Sequence, residues 1–99
     1  MKNIVIQGLG FVGSAVAVAV ASKLNNEDKP LFNVTGIDLP SGIGQERIDY
    51  LNSGKFPFKT NDNKLLFELK KVFEQCNLRA TGDKDAYSKA DVVIVSINC

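Results

Sequence analysis

The chain has 99 residues, room for one small domain. Hydrophobic residues make up 44% and charged residues 23%, a globular composition that excludes a disordered segment. The formal net charge of +1 excludes both the basic field of a nucleic-acid binder and an acidic tail.

Asn3 to Gln7 is a short run rich in β-branched residues and followed by glycine, which predicts a buried parallel strand. Met1-Lys2-Asn3 and the apolar run from Phe11 to Ala21 imitate a secretory signal, whose apolar core is continuous and follows a basic segment. Here Gln7, Gly8, Gly10 and Gly13 interrupt the run, and Lys2 is its one basic residue. The run is also too short to span a bilayer, so no membrane partner is expected. Alternation of Ala and Val from Ala15 to Ala21 looks strand-like, but it carries no polar face. Fourteen residues from Phe11 to Leu24 without a turn signal are long for a strand, and a helix lying on a sheet explains them better.

Asn25 to Pro30 reads as a polar loop, and Phe32 to Ile37 as the second strand, closed by Asp38. Leu39 to Gly44 is a turn-rich connection. Gln45 to Asn52 reads as a helix with Gly54 as its stop, and Lys55 to Asn63 as a surface loop. From Leu65 to Cys76 the chain is amphipathic: Leu65, Leu66, Leu69, Val72, Phe73 and Cys76 share a face, so Cys76 is expected in the core. Leu78 to Thr81 is a brief third strand, and Asp83 suits the N-cap of a short helix through Lys89. Asp91 to Ile97 is nearly all apolar, which predicts a buried fourth strand. Strands alternating with helices predict an α/β, Rossmann-like domain: a mostly parallel sheet of about four strands with flanking helices.

Gly8-Leu9-Gly10-Phe11-Val12-Gly13 matches G-x-G-x-x-G between a strand and a helix. In that setting Gly8 permits the tight turn, Gly10 leaves room for a pyrophosphate, and Gly13 lets helix and sheet approach. The helix N-terminus offers free amides and a partial positive charge to phosphates. Asp38 lies somewhat beyond the usual interval of about 20 residues from such a motif, and the polar loop from Asn25 to Pro30 accounts for the excess. A carboxylate there accepts hydrogen bonds from ribose hydroxyls and repels a 2′-phosphate, which favours NAD over NADP. The competing reading is a plain strand–helix glycine turn, with Asp38 merely capping a helix.

With these pieces the chain resembles the NAD-binding domain of the UDP-glucose/GDP-mannose (nucleotide-sugar) dehydrogenase family. Gly8 to Gly13 is similar to the family's GLGYVG, and Gly36-Ile37-Asp38 to its second-strand ending. Arg47-Ile48-Asp49-Tyr50-Leu51-Asn52-Ser53-Gly54 is similar to its K-V-x-x-L-N-x-G helix. Ala80-Thr81-Gly82-Asp83, Ala86-Tyr87 and Ala90-Asp91-Val92-Val93-Ile94 follow its third strand, helix and fourth strand. The resemblance implies that Asp38 and Arg47 touch the adenosine ribose and that Thr81 lines the dinucleotide site. A solvated helix charge and a plain strand-end residue are the respective competing readings. Phe11, Val12 and Ser96 complete the expected cofactor-binding set with Gly8, Gly10 and Gly13.

The family's E-P-G-L is replaced by Thr60-Asn61-Asp62-Asn63-Lys64-Leu65, its P-T after strand four by Asn98-Cys99, and the connection after Asp38 is longer. The family's catalytic cysteine, its lysine and asparagine helpers and its sugar-nucleotide site lie in later domains. Residues 1–99 therefore read as a partial NAD-binding domain: the first half of a dinucleotide fold plus one strand of the second. No catalytic residue is expected, because nothing beside Cys99 would activate a thiolate. With no His, and with Cys76 and Cys99 far apart, no metal site or disulfide framework is expected, and a reduced, cytoplasmic setting follows.

The implied activity of the parent protein is oxidation of a sugar-nucleotide primary alcohol, of UDP-glucose type, to a uronate by two hydride transfers. The isolated chain is expected to bind NAD weakly and catalyse nothing. Two alternatives stay open: a Rossmann dehydrogenase of 6-phosphogluconate or hydroxyisobutyrate type, and a non-enzymatic nucleotide-binding module. The last strand is expected at an open sheet edge, through which a homodimer could pair.

Overall fold

The computed structural model describes residues 1–96. Four short β-rich segments, β1 (Lys2–Gln7), β2 (Phe32–Ile37), β3 (Leu78–Thr81) and β4 (Val92–Val95), form one sheet in the order β3-β2-β1-β4. Every pairing is parallel, with Ile6 opposite both Gly36 and Ile94. Parallel neighbours need crossovers, and helices α1 (Phe11–Ala21), α2 (Gly42–Asn52) and α3 (Asn63–Gln75) supply those between β1, β2 and β3. The chain then returns past β1 to β4 through a short 3-10 helix, Lys84–Lys89. This is the four-stranded Rossmann-like architecture expected from the sequence.

Alternation along the strands sorts the two faces. Ile4, Ile6 and Val34 point to α1 and α3, where they pack with Ala17, Ala21 and Val72. Leu9, Val18, Ile48, Leu51, Phe56, Leu69 and Ala80 form a second apolar group on the helical side. On the opposite face Val5 and Thr35 lie near Ala86 and Lys89 of the 3-10 helix. The Ala/Val segment is helical, as composition suggested: Gly13, Ser14, Ala17, Val18 and Ala21 are its buried side. Asn77, almost wholly buried, donates from Nδ2 to the carbonyls of Ala21 (2.8 Å) and Phe32 (2.9 Å), fastening the end of α1 to the start of β2.

α2 ends in a Schellman motif. The Lys55 amide bonds the Tyr50 carbonyl at 2.9 Å and the Gly54 amide bonds the Leu51 carbonyl at 3.1 Å, with Gly54 at φ +77°. Next to this cap, Asn52 donates from Nδ2 to the Ala80 carbonyl at 2.9 Å and accepts from the Ala80 amide at 2.8 Å. Leu51-Asn52-Ser53-Gly54 is thus a structural device: a core leucine, a clasp on edge strand β3, and a helix stop. Asp62 caps α3 by accepting from the Leu65 amide at 3.0 Å, and Asp83 caps the 3-10 helix by accepting from the Asp85 amide at 2.9 Å.

Several expectations change. α2 starts at Gly42 rather than Gln45, taking in two glycines of the connection assigned to a turn. The segment after Gly54 is anchored rather than a free surface loop, because Phe56 is buried and packs on Phe11 and Phe58. Cys76 is exposed, not core: α3 stops at Gln75, and Cys76 caps it in the left-handed conformation, off the apolar stripe. The fourth strand is not buried; Val92, Val93 and Val95 are 46%, 43% and 55% exposed because β4 has a neighbour on one side only among the described residues. Ile97 and Cys99, assigned to that strand and its end, lie outside the described residues.

Candidate functional site

The site lies at the carboxyl ends of β1, β2 and β3. There the chain leaves β1 toward β2 on one side, while the connection from β3 returns to place β4 on the other, which opens a crevice at the switch in strand order. The β1 chain exits through Gly8, at φ +94°, whose amide bonds the Ile37 carbonyl at 2.8 Å. A Cβ on Gly8 would stand 2.8 Å from the Ser96 carbonyl oxygen, and one on Gly13 would stand 1.9 Å from the Gly8 carbonyl oxygen. Both positions therefore require glycine. Gly10 is buried, extended, and the N-cap of α1, with no side-chain cap and no acidic residue in the first turn. Helix geometry leaves the first-turn amides, those of Phe11 and Val12 included, without carbonyl partners, ready for an anion. The side chains of Phe11 and Val12 are themselves 44% and 60% exposed.

Ser96 bonds from its amide to the Gln7 carbonyl at 2.8 Å, and its Cβ would be 3.1 Å from one on Gly13. The residue after β4 thus covers the glycine turn. Asp38 closes β2 beside the same turn. Its Oδ2 accepts from the Leu9 amide at 2.9 Å, its Oδ1 from the Leu39 amide at 2.7 Å, and Arg47 Nη1 lies 3.6 Å from Oδ2. Glycine turn, Asp38, Arg47 and Ser96 are brought together. Thr81 is a neighbour through its backbone: its carbonyl accepts from the Asp38 amide at 3.3 Å. Its hydroxyl instead accepts from the Asp83 amide at 3.1 Å, and its side chain lines a groove with Arg79 and Lys89 near the 3-10 helix.

Around Asp38 the cleft is walled by Gln7, Leu39, Pro40, Gly82, Lys84 and Tyr87, none of which the sequence had singled out for the site. Gly82 carried a signal in its residue type: a Cβ there would meet Pro40 at 2.4 Å. The same holds for Gly44, where a Cβ would meet the Leu39 carbonyl oxygen at 2.3 Å and Asp38 Oδ1 at 3.0 Å. Among the described residues no group of three or more metal-ligating side chains occurs, and no helix is long and apolar enough to cross a membrane.

The family model for the NAD-binding domain of the UDP-glucose/GDP-mannose dehydrogenase family matches residues 2–99. The chain belongs to that family. Its fold is similar to NDP-N-acetyl-D-galactosaminuronic acid dehydrogenase from Methanosarcina mazei, with TM-score 0.83 and 30% identity over 99% of this chain. It is also similar to GDP-mannose dehydrogenase from Pseudomonas aeruginosa, with TM-score 0.75 and 27% identity over 99% of this chain. UDP-N-acetyl-mannosamine dehydrogenase from Staphylococcus aureus, at 22% identity over 97% of this chain and TM-score 0.73, shares the fold. The chain spans 20%, 20% and 19% of the lengths of these three proteins. No match was found among curated proteins.

The domain is thus an NAD-binding domain of the UDP-glucose/GDP-mannose dehydrogenase family. The residues present suit the cofactor. With no room for a Cβ at Gly8 or Gly13, the turn stays tight and holds the first-turn amides of α1 toward a pyrophosphate, and a carboxylate at the end of β2 suits a ribose diol.

Proposed function

We propose that the chain is the NAD-holding part of a dehydrogenase that oxidises the primary alcohol of a sugar nucleotide, of UDP-glucose type, to the uronate. The observation that carries this reading is the tight turn of Gly8, Gly10 and Gly13, with no room for a Cβ at Gly8 or Gly13, set against Asp38 at the switch in strand order. When bound, NAD would supply the hydride acceptor for each of two oxidations, alcohol to aldehyde and aldehyde to carboxylate.

The residues of this chain bind and orient. Gly8, Gly10 and Gly13, with the first-turn amides of Phe11 and Val12, receive the pyrophosphate. Asp38 accepts from the ribose hydroxyls through lone pairs left free by Leu9 and Leu39, and Arg47 offsets part of its charge. Ser96 covers the turn, and Thr81 supports Asp38 from the neighbouring strand. The nucleophile and the sugar-nucleotide site belong to parts of the enzyme outside residues 1–99. The exposed thiol of Cys76 fits a reducing, cytoplasmic setting. Among the described residues β4 has one edge without a neighbouring strand, which supports self-association; a monomeric mass by light scattering at high concentration would overturn it.

Calorimetric titration with NAD tests the reading. Weak, saturable binding by a chain shown to be folded by circular dichroism is expected. No heat at millimolar NAD overturns it.

A further inference from the structure

Arg47 on α2 and Phe58 in the loop before α3 meet beside Asp38. The guanidinium carbon of Arg47 lies 5.2 Å from the centroid of the Phe58 ring, and its Nη1 lies 3.6 Å from Asp38 Oδ2. The guanidinium thus sits over an aromatic ring and beside a carboxylate at once. The ring is itself held in place. Phe58 lies 5.6 Å from Phe11 and 6.0 Å from Phe56, and Phe11 and Phe56 meet edge to face at 5.4 Å. Phe56 is 8% exposed, so the trio is rooted in the core, and Phe11 directly follows Gly10 of the phosphate turn. An aromatic bracket therefore joins the start of α1 to the cation next to Asp38.

At 3.6 Å the ion pair between half-buried Arg47 and Asp38 is longer than a hydrogen bond, and by itself it restrains a long side chain weakly. The added ring weights the arginine a few-fold further toward its place beside Asp38. Resting on the reading that Asp38 receives the adenosine ribose, we propose that Phe58 is a positioning residue that sets dinucleotide specificity. Its ring keeps Arg47 turned to Asp38, so the cation's charge stays with that carboxylate rather than with a ribose 2′-phosphate.

The test is titration of the wild-type chain, Phe58→Leu, Phe58→Tyr, Arg47→Met and the double variant Arg47→Met/Phe58→Leu with NAD and with NADP. Circular dichroism establishes that each is folded. Phe58→Leu is expected to lower the preference for NAD over NADP about threefold, Phe58→Tyr to preserve it, and Phe58→Leu to change nothing once Arg47 is methionine. Arg47→Lys keeps the charge but loses the planar guanidinium; it leaves the loop untouched and is expected to shift the preference as Phe58→Leu does. In NMR spectra the Arg47 δ-protons are expected upfield under the ring in wild type and Phe58→Tyr, and at ordinary shifts in Phe58→Leu. Equal weakening of both dinucleotides, or the same shift in preference without Arg47, assigns Phe58 a purely structural role and overturns the proposal alone. A folded wild-type chain that binds neither dinucleotide while its Arg47 protons remain upfield overturns the ribose reading, and this proposal with it.

Discussion

Asn52 and Ala80 exchange two hydrogen bonds, side-chain amide against backbone amide, at 2.9 and 2.8 Å across 28 residues of sequence. The primary amide of asparagine copies a peptide group and serves Ala80 as one more strand would. Edge strand β3 therefore has β2 on one side and a single-residue clasp on the other. Asn52→Leu removes both bonds and leaves the Ala80 amide without a partner, so a loss of about 2 kcal/mol in urea denaturation is expected. An unchanged midpoint would show the clasp to be idle. Asn52→Asp should cost at least as much, because its carboxylate would face the Ala80 carbonyl.

Gly13→Ala places a methyl group where a Cβ would be 1.9 Å from the Gly8 carbonyl oxygen, so backbone must move. Overpacking of this kind costs about 1–3 kcal/mol, and the displaced turn should no longer hold a pyrophosphate. Thermal melting and NAD titration are expected to fall together. Retention of wild-type affinity would show that the turn does not touch the cofactor.

Asp38→Ser should weaken NAD binding and narrow its advantage over NADP. The shorter side chain loses the bond from the Leu9 amide at 2.9 Å as well as the pairing with Arg47. Hydrogen bonds to charged groups are worth about 1.5–3 kcal/mol, so a drop of roughly tenfold or more in NAD affinity is expected. An unchanged NAD/NADP ratio would remove Asp38 from the ribose.

Phe56→Ala should loosen the loop before α3. Removing a buried aromatic costs about 3–5 kcal/mol, and the bracket with Phe11 and Phe58 goes with it. Limited proteolysis is expected to cut between Lys55 and Lys59, where the wild-type chain resists. Equal resistance in both would mean that the loop is held by other contacts.

β2 and β3 run over the residues their composition predicts, because each is a compact β-prone segment between turn residues. Helix α1 was legible only through its setting, since an Ala/Val run carries no periodic polar face. The start of α2 is masked in the sequence because glycines at 42 and 44 are poor helix formers; it is dictated by packing, with Gly44 squeezed against Leu39 and Asp38. The phosphate turn was visible because its backbone demands leave marks in residue type. Pro40, Lys84 and Tyr87 left none: they are ordinary residues from two separate connections, and only the topology brings them to one wall. Phe58 was hidden for a similar reason, since its partner Arg47 lies on another element.

The reversal of strand order at β1 makes the cleft a product of connectivity rather than of any wall residue. Leu39, Pro40 and Lys84 are exposed residues of connections and carry none of the apolar packing beneath the sheet. Stability and ligand preference are thus written in different residues. Drift along the rim can retune what is bound while the folded scaffold stays intact.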